Sequence, residues 1–155
     1  MRAGGGPRLE PMPLHLVKLC VGVSAIEELD AWIAERLAGQ AARGAPAEHK
    51  HTTRMVPRRV AELLDGGSLY WVIKGNIQAR QRLTAIRPFV DRDGIQRCDL
   101  VLAPELVATV WQPRRAFQGW RYLDAGDAPA DLAPGQGAHA LPVHLRLELA
   151  DLGLL

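Results

Sequence analysis

The sequence is poor in cysteine, lysine and aromatic residues. Its 155 residues include two cysteines, three lysines, four tryptophans, two tyrosines and two phenylalanines. We interpret Cys20 and Cys98, which lie in apolar runs, as buried reduced thiols of a cytoplasmic protein. No apolar run approaches the ~18 residues of a membrane helix, and the opening "MRAGGGPRLEPMP" has no apolar core, so neither a membrane partner nor a secretory signal is predicted.

The length and composition predict one globular domain. A chain of 155 residues falls within the usual size of a single domain, and its 48% hydrophobic content excludes a wholly disordered chain. Residues 1–12 form a flexible leader in this interpretation, with Met12 as an alternative natural start. Residues 13–155 then form a single α+β domain.

Basic charge is concentrated in the middle of the chain. Residues 50–122 hold thirteen Lys or Arg against six Asp or Glu, a balance of +7, and the remainder carries −5. This asymmetry favours an anionic partner for the middle segment. Arginine outnumbers lysine sixteen to three, however, and Ala, Gly and Pro are abundant. A GC-rich genome could supply such arginines without any functional demand.

Hydrophobic periodicity predicts two helices near the start of the chain and about six strands. Ser24 and Glu27 fit a capping box that begins a helix ending near Gly39, and "PRRVAELLDGG" predicts a second, short helix with a glycine of positive φ at its end. Asp93 and Gly94 form a turn dipeptide that joins two strands into a hairpin. Strands are expected at residues 14–23, 68–75, 76–90, 95–103, 117–123 and 141–152, with residues 105–112 as strand or helix.

Short connections between consecutive strands require antiparallel pairing. The fold class predicted is therefore α+β, with a small, strongly curved, mostly antiparallel sheet or a PUA-like β-barrel and two helices near the N-terminus. Closure into a barrel would remove the exposed edges of so many short strands.

Two stretches, "HTTRMVPRRVAELLDGGSLYWVIKGNIQARQR" and "PRRAFQGWRYL", resemble an uncharacterised family of short bacterial proteins, a domain of unknown function. The resemblance extends over residues 13–151 and implies no particular reaction. The strand "LYWVIKG" after a helix ending in "DGG" is also similar to the entry of PUA-like barrels. That similarity implies a fold that binds RNA or modified bases.

The segment "WQPRRAFQGWRYL" raises the main functional hypothesis, because it places three arginines among four aromatic rings. Single-stranded nucleic acids bind where cationic grooves follow phosphates and aromatic faces stack on bases. The alternative is a core segment with solvated arginines. We expect a non-catalytic binding module for RNA or a nucleotide-like anion, with ligand-binding residues Lys74, Arg80, Arg82, Trp111, Arg114, Arg115, Trp120 and Arg121.

Other function classes remain open. A small enzyme acting on an anionic substrate could use Lys74 and Arg80 as a clamp and Cys98 or Asp99 for chemistry. A protein-interaction domain, such as a homodimer, could use the Trp and Arg residues as an interface. His49 and His51 lack neighbouring ligands at metal-site spacing and read as solvated loop residues, so neither a metal nor another cofactor is predicted.

Overall fold

A computed structural model describes residues 13–46 and 48–132. This part of the chain forms seven strands, two α-helices and one 3-10 turn. The leader predicted at residues 1–12 and the closing strand predicted at residues 141–152 lie outside the described residues. The elements are β1 (Leu14–Leu19), α1 (Ile26–Ala42), β2 (His49–Thr53), α2 (Val60–Leu64), β3 (Ser68–Ile73), β4 (Asn76–Val90), β5 (Gln96–Leu102), β6 (Val107–Pro113), β7 (Trp120–Asp124) and the 3-10 turn (Ala125–Asp127).

The strands form one mixed sheet in the order β2-β5-β4-β3-β1-β7, with β6 paired to β4. Only the β1–β3 pair is parallel among the described strands, and the other pairs are antiparallel. The predicted α+β class and mostly antiparallel sheet are confirmed. Within the described residues the sheet is not closed into a barrel, so that form of the prediction is not found there.

The sheet bends because β4 is long and changes partners along its length. Its first half pairs with β3 and β6, and its second half pairs with β5, with register shifts in each pairing. The bend brings β2 over the face of the sheet. The ring of His51 on β2 therefore lies 5.5 Å from that of Trp71 on β3, although β5 and β4 separate these strands in the sheet order.

Hydrophobic side chains cover both faces of the central strands. On the concave face, which carries Trp71, helix α1 packs Leu29 and Ile33 against the sheet. On the opposite face, Val17 and Val72 belong to a second, smaller cluster. Every residue of β3 is buried as a result, which is typical of strands enclosed on both faces. Neither described helix combines the length and hydrophobicity of a membrane span.

The structure corrects several local predictions. Helix α1 begins at Ile26 with Ala25 as its N-cap, and no side chain caps it, so the predicted capping box does not form. The backbone N–H of Ser24 donates instead to the carboxylate of Glu28. Strand β1 ends at Leu19 rather than at residue 23, since the chain turns at Gly22, where φ is +83°.

Strand β2 was not predicted, because its sequence "HKHTT" is polar. His49 and Thr53 point inward and are buried, while Lys50 and Thr52 are exposed. The segment therefore has the period of two expected of a strand, carried by polar residues rather than by apolar ones. Residues 105–112 were left open between strand and helix, and they contribute to strand β6.

The glycine pair after α2 behaves as expected. Gly66 has a φ of +90°, which confirms the predicted left-handed residue at the end of this helix. Gly67 has a different role, because its backbone N–H donates to the carbonyl of Leu63 at 2.9 Å and its Cα lies close to the backbone of β1. A Cβ at residue 67 would overlap the carbonyl oxygens of Leu14 and Leu63.

We predict that Gly67→Ala destabilises the fold by at least about 2–3 kcal/mol, as expected for an overpacked site whose neighbours are backbone atoms. Urea unfolding measures the change. Gly126→Ala is the matched control, since a Cβ there would meet no atom within 4 Å. Equal stability of the two variants would contradict the close approach at Gly67.

Candidate functional site

A cavity of about 430 Å³ opens at the carboxyl end of β1 and is named here the two-tryptophan pocket. This volume falls within the range of about 300–1,000 Å³ typical of small-molecule sites. The cavity lies where a strand with a parallel neighbour leads into a helix, a common position for ligand sites in α/β sheets. It is lined by residues 18–23, by Glu28 and Trp32 of α1, by His51 of β2 and by Trp71 of β3.

Strand alternation places Lys18 in this pocket. Leu16 and Lys18 are two residues apart on β1 and therefore share one face of the sheet. Their register partners on β3 are Leu69 and Trp71, and these two residues belong to the core of the concave face. Lys18 therefore follows the apolar residues on the core-facing side of β1, but it carries a positive charge.

A buried hydrogen-bonded chain positions both tryptophans. Trp71 Nε1 donates to Gln81 Oε1 at 2.9 Å, and Gln81 Nε2 lies 3.0 Å from His49 Nδ1 and 2.9 Å from the carbonyl oxygen of Ala103. The ring of His49 contacts Trp32 edge-on, with centroids 5.5 Å apart. Gln81 therefore links the floor of the pocket to its helical wall.

The pocket holds a cation without a carboxylate partner. Within the described residues Lys18 forms no ion pair, and burial lowers the pKa of its ammonium group. The nearby carboxylate of Glu28 accepts the backbone N–H of Ser24. A second positive charge lies next to the pocket, because the guanidinium of Arg36 stacks 4.7 Å from the centroid of the Trp32 ring.

Two further titratable groups in the pocket are held neutral. Burial raises the pKa of the Cys20 thiol to about 11, so this thiol stays protonated at physiological pH. Burial, assisted by the positive charge of Lys18, lowers the pKa of His51 to about 4. His51 is therefore a neutral imidazole that can accept or donate a hydrogen bond. Within the described residues, no three His, Cys, Asp or Glu side chains converge as metal ligands.

The structure brings two of the eight sequence-predicted ligand residues together and places two more beside them along the chain or across a turn. The guanidinium carbons of Arg114 and Arg121 lie 5.4 Å and 5.1 Å from the centroid of the Phe117 ring. Arg115 is the exposed chain neighbour of Arg114. The turn that contains Lys74 adjoins them, since the backbone N–H of Arg114 donates to the carbonyl of residue 75 at 2.9 Å. We name Lys74, Arg114, Arg115, Phe117 and Arg121 the basic surface.

The other four predicted residues lie elsewhere. Arg80 forms a two-pronged ion pair with Asp131, at 2.7 Å and 2.8 Å, and also donates to the hydroxyl of Ser68. Arg82 is exposed on β4. Trp111 and Trp120 are each only 5% exposed, so neither ring presents a face to solvent. That these two rings stack on bases stays a prediction, but neither ring is exposed in this structure.

The residues that the enzyme alternative proposes for catalysis are buried or paired within the fold. Cys98 is fully buried in the core, and burial raises the pKa of its thiol. Arg97, which could have activated this thiol, is paired with Asp91. The carboxylate of Asp99 accepts the hydroxyl of Thr52 at 2.6 Å.

Sequence reasoning missed the two-tryptophan pocket. The signal that could have revealed it is the lone lysine in "LHLVKLCVGV", which falls on the core-facing side of an apolar strand. The contribution of His51 and Trp32 could not be read from sequence. It depends on the bend of the sheet and on the packing of α1.

Comparisons with known proteins identify one family. Residues 16–155 match the model of a family described as "Protein of unknown function (DUF1489)". No curated protein and no solved structure matches the sequence. The resemblance to PUA-like barrels is therefore not confirmed.

We predict that Trp120 acts as a core anchor. Its Nε1 donates to the backbone carbonyl of Met55 at 2.7 Å. Trp120→Phe should lower the free energy of unfolding by about 1–3 kcal/mol, because a buried acceptor loses its donor and the ring becomes smaller. Trp32→Phe is the control, since Trp32 is 41% exposed and should cost less. A thermal melt in which both variants match the wild type would refute this assignment.

A second prediction concerns His51 and acid. Its pKa is about 4 in the folded state against 6.5 in the unfolded state, so the unfolded chain takes up a proton first as pH falls. The stability contributed by neutral His51 is fully present above pH 6.5 and is lost towards pH 4, up to about 3 kcal/mol. His51→Phe should flatten the curve of stability against pH in this window. Parallel curves would show that His51 is not buried as a neutral ring.

Proposed function

This chain belongs to the DUF1489 family, a family of unknown function, and we propose that it is a binding module for a small nucleotide-like anion that occupies the two-tryptophan pocket. The ligand is a flat aromatic molecule that carries a negatively charged group. The aromatic part packs against Trp32, above the buried Trp71, and the negative group pairs with Lys18.

One observation carries this proposal: Lys18 lies in an apolar cavity without a carboxylate partner among the described residues. Removing an ammonium group from water costs free energy unless an opposite charge compensates it. The neighbouring charge of Arg36 adds to the positive potential instead of reducing it. An anionic ligand would supply the compensation that the protein itself does not provide.

The walls of the pocket favour an aromatic ligand over a simple inorganic ion. Trp32 is 41% exposed and offers its ring to a ligand, whereas Trp71 is 2% exposed, is held in place by Gln81 and forms the buried floor of the pocket. Rigid indole rings are large apolar surfaces on which planar ligands stack, with about 1–3 kcal/mol gained for each stacked base. Neutral His51 can form a hydrogen bond to a base edge or a sugar hydroxyl without adding charge.

A second candidate function is binding of single-stranded RNA along the basic surface. The convergence of Arg114 and Arg121 on Phe117 supports it, because the two guanidiniums are close together and neither forms an ion pair within the described residues. Phosphate groups recognise such clusters. The small-ligand proposal is preferred, because its stacking ring, Trp32, is 41% exposed, whereas the two tryptophans expected to stack on RNA are each 5% exposed.

Indole N–H signals in a ¹H–¹⁵N NMR spectrum test both candidates in one titration. The chain has four tryptophans, which are distributed between the pocket and other sites. Titration with a nucleoside monophosphate should shift the signals of Trp32 and Trp71 and leave those of Trp111 and Trp120 unchanged. Assignment follows from loss of one signal in each Trp→Phe variant.

Lys18→Met should weaken this binding about tenfold or more, which corresponds to the loss of one charge-assisted hydrogen bond. Lys74→Met is the matched control, since Lys74 is exposed on the basic surface and outside the pocket. The reverse pattern, in which Lys74→Met weakens binding and Lys18→Met does not, would indicate that the ligand binds to the basic surface instead. Absence of any shift for all nucleoside monophosphates would end the small-ligand proposal.

A further inference from the structure

The three lysines of the chain occupy three different environments. Lys18 is partly buried in the two-tryptophan pocket. Lys50 is exposed on β2, with its Nζ 3.9 Å from Asp99 Oδ2. Lys74 is exposed in the turn between β3 and β4, where its φ is +50°. Only Lys18 combines partial burial with the absence of a carboxylate partner within the described residues.

We propose that Lys18 is a carbonyl-reactive lysine, whose amine condenses with an aldehyde or ketone group of a ligand in the two-tryptophan pocket. The substrate class is a small aromatic anion that carries a carbonyl group, and its negative group is attracted by the neighbouring charge of Arg36 when Lys18 reacts as the free amine. This inference rests on the proposed function, because it requires that such a molecule enters the same pocket. It adds that the ligand becomes covalently attached.

The pocket contains two potential nucleophiles, and burial acts on them in opposite ways. Desolvation disfavours the charged form of each group, which is the ammonium for Lys18 and the thiolate for Cys20. The uncharged amine is the reactive form of a lysine, whereas the uncharged thiol is the unreactive form of a cysteine. Burial therefore makes the Lys18 amine more reactive and keeps Cys20 as an unreactive thiol, whose pKa rises to about 11.

The charge environment acts in the same direction. A carboxylate paired with Lys18 would hold its proton in place, but the described residues supply no such pair. Burial is the largest cause that lowers the pKa of Lys18, and it outweighs the opposing effect of Cys20. The lysine therefore has more free amine near neutral pH than an exposed lysine has.

The reaction is a condensation that needs no oxidant or reductant. The lone pair of Lys18 Nζ attacks the carbonyl carbon, a carbon–nitrogen bond forms, and one proton moves from the nitrogen to the carbonyl oxygen. The second proton of the nitrogen then passes to the same oxygen, the carbon–oxygen bond breaks, water departs, and an imine remains. His51 lines the same pocket as a neutral imidazole, so it can accept a hydrogen bond from the reacting nitrogen.

The three lysines allow a test within one sample. The folded full-length protein is treated with pyridoxal 5′-phosphate, an aromatic aldehyde that carries a phosphate, and the imines are reduced with cyanoborohydride. Peptide mass spectrometry then measures the rate of modification at each lysine. We expect Lys18 to be labelled several-fold faster than Lys74 and Lys50, and we expect this preference to disappear in urea.

Formaldehyde in place of the aromatic aldehyde separates reactivity from binding. The pH at which reductive methylation of Lys18 reaches half its maximal rate should lie below that of Lys74. The variant Lys18→Arg keeps a positive charge but cannot form an imine. In this variant the adduct should be absent from residue 18, while the labelling rates of Lys50 and Lys74 should match those of the wild type.

Each outcome decides between the two proposals. If Lys18 is labelled no faster than Lys74 while the Trp32 and Trp71 signals still respond to a nucleoside monophosphate, imine formation is wrong and the binding function stands. If Lys18 shows no preference and the signals do not respond, both are wrong. Faster labelling with a lowered pH midpoint supports the reactive lysine.

Discussion

The hydrogen bond from Trp71 to Gln81 is the constraint on which the rest of the concave face depends. An indole N–H can only donate, and Trp71 is 2% exposed, so it needs an acceptor inside the protein. Gln81 Oε1 supplies that acceptor and thereby turns its amide nitrogen towards Ala103 and His49. His49 Nδ1 must then accept, which places the ring proton on Nε2. This chain fixes β2 above the sheet, brings His51 against Trp71 and so creates the floor of the two-tryptophan pocket.

Local sequence was enough to predict the elements whose pattern is apolar. The strand "SLYWVIKG", the long following strand and the turn at Gly94 all correspond to the structure, because each residue choice agrees with its own backbone conformation. Strand β2 could not be found in this way. Its inward positions are filled by His49, His51 and Thr53, which are stabilised by contacts with distant strands. Propensity carries no information about such contacts.

The same distinction explains the crowded segment "WQPRRAFQGWRYL". Its residues are adjacent in sequence, but strand alternation separates them in space. Trp120 and Tyr122 face the concave core, whereas Arg121 points to the opposite side and stacks on Phe117. The segment is therefore neither a uniform nucleic-acid surface nor a uniform core strand. Arg114 and Arg121 do converge on Phe117, and the tryptophans expected among the ligand residues are used for packing.

The distribution of unpaired polar groups separates scaffold from site. Arg59, Arg80, Arg87 and Arg97 have carboxylate partners near the surface, where such pairs contribute little to stability and leave little charge for a ligand. Around the two-tryptophan pocket, by contrast, two polar groups lack partners. Lys18 has no carboxylate partner among the described residues, and His49 Nε2 is buried without a hydrogen-bond partner there. Each such group costs the folded state free energy that better local pairing would recover. Lys18 lines the same pocket as Trp32, and His49 contacts the Trp32 ring, so both unpaired groups lie in the part of the structure suited to accept something from outside.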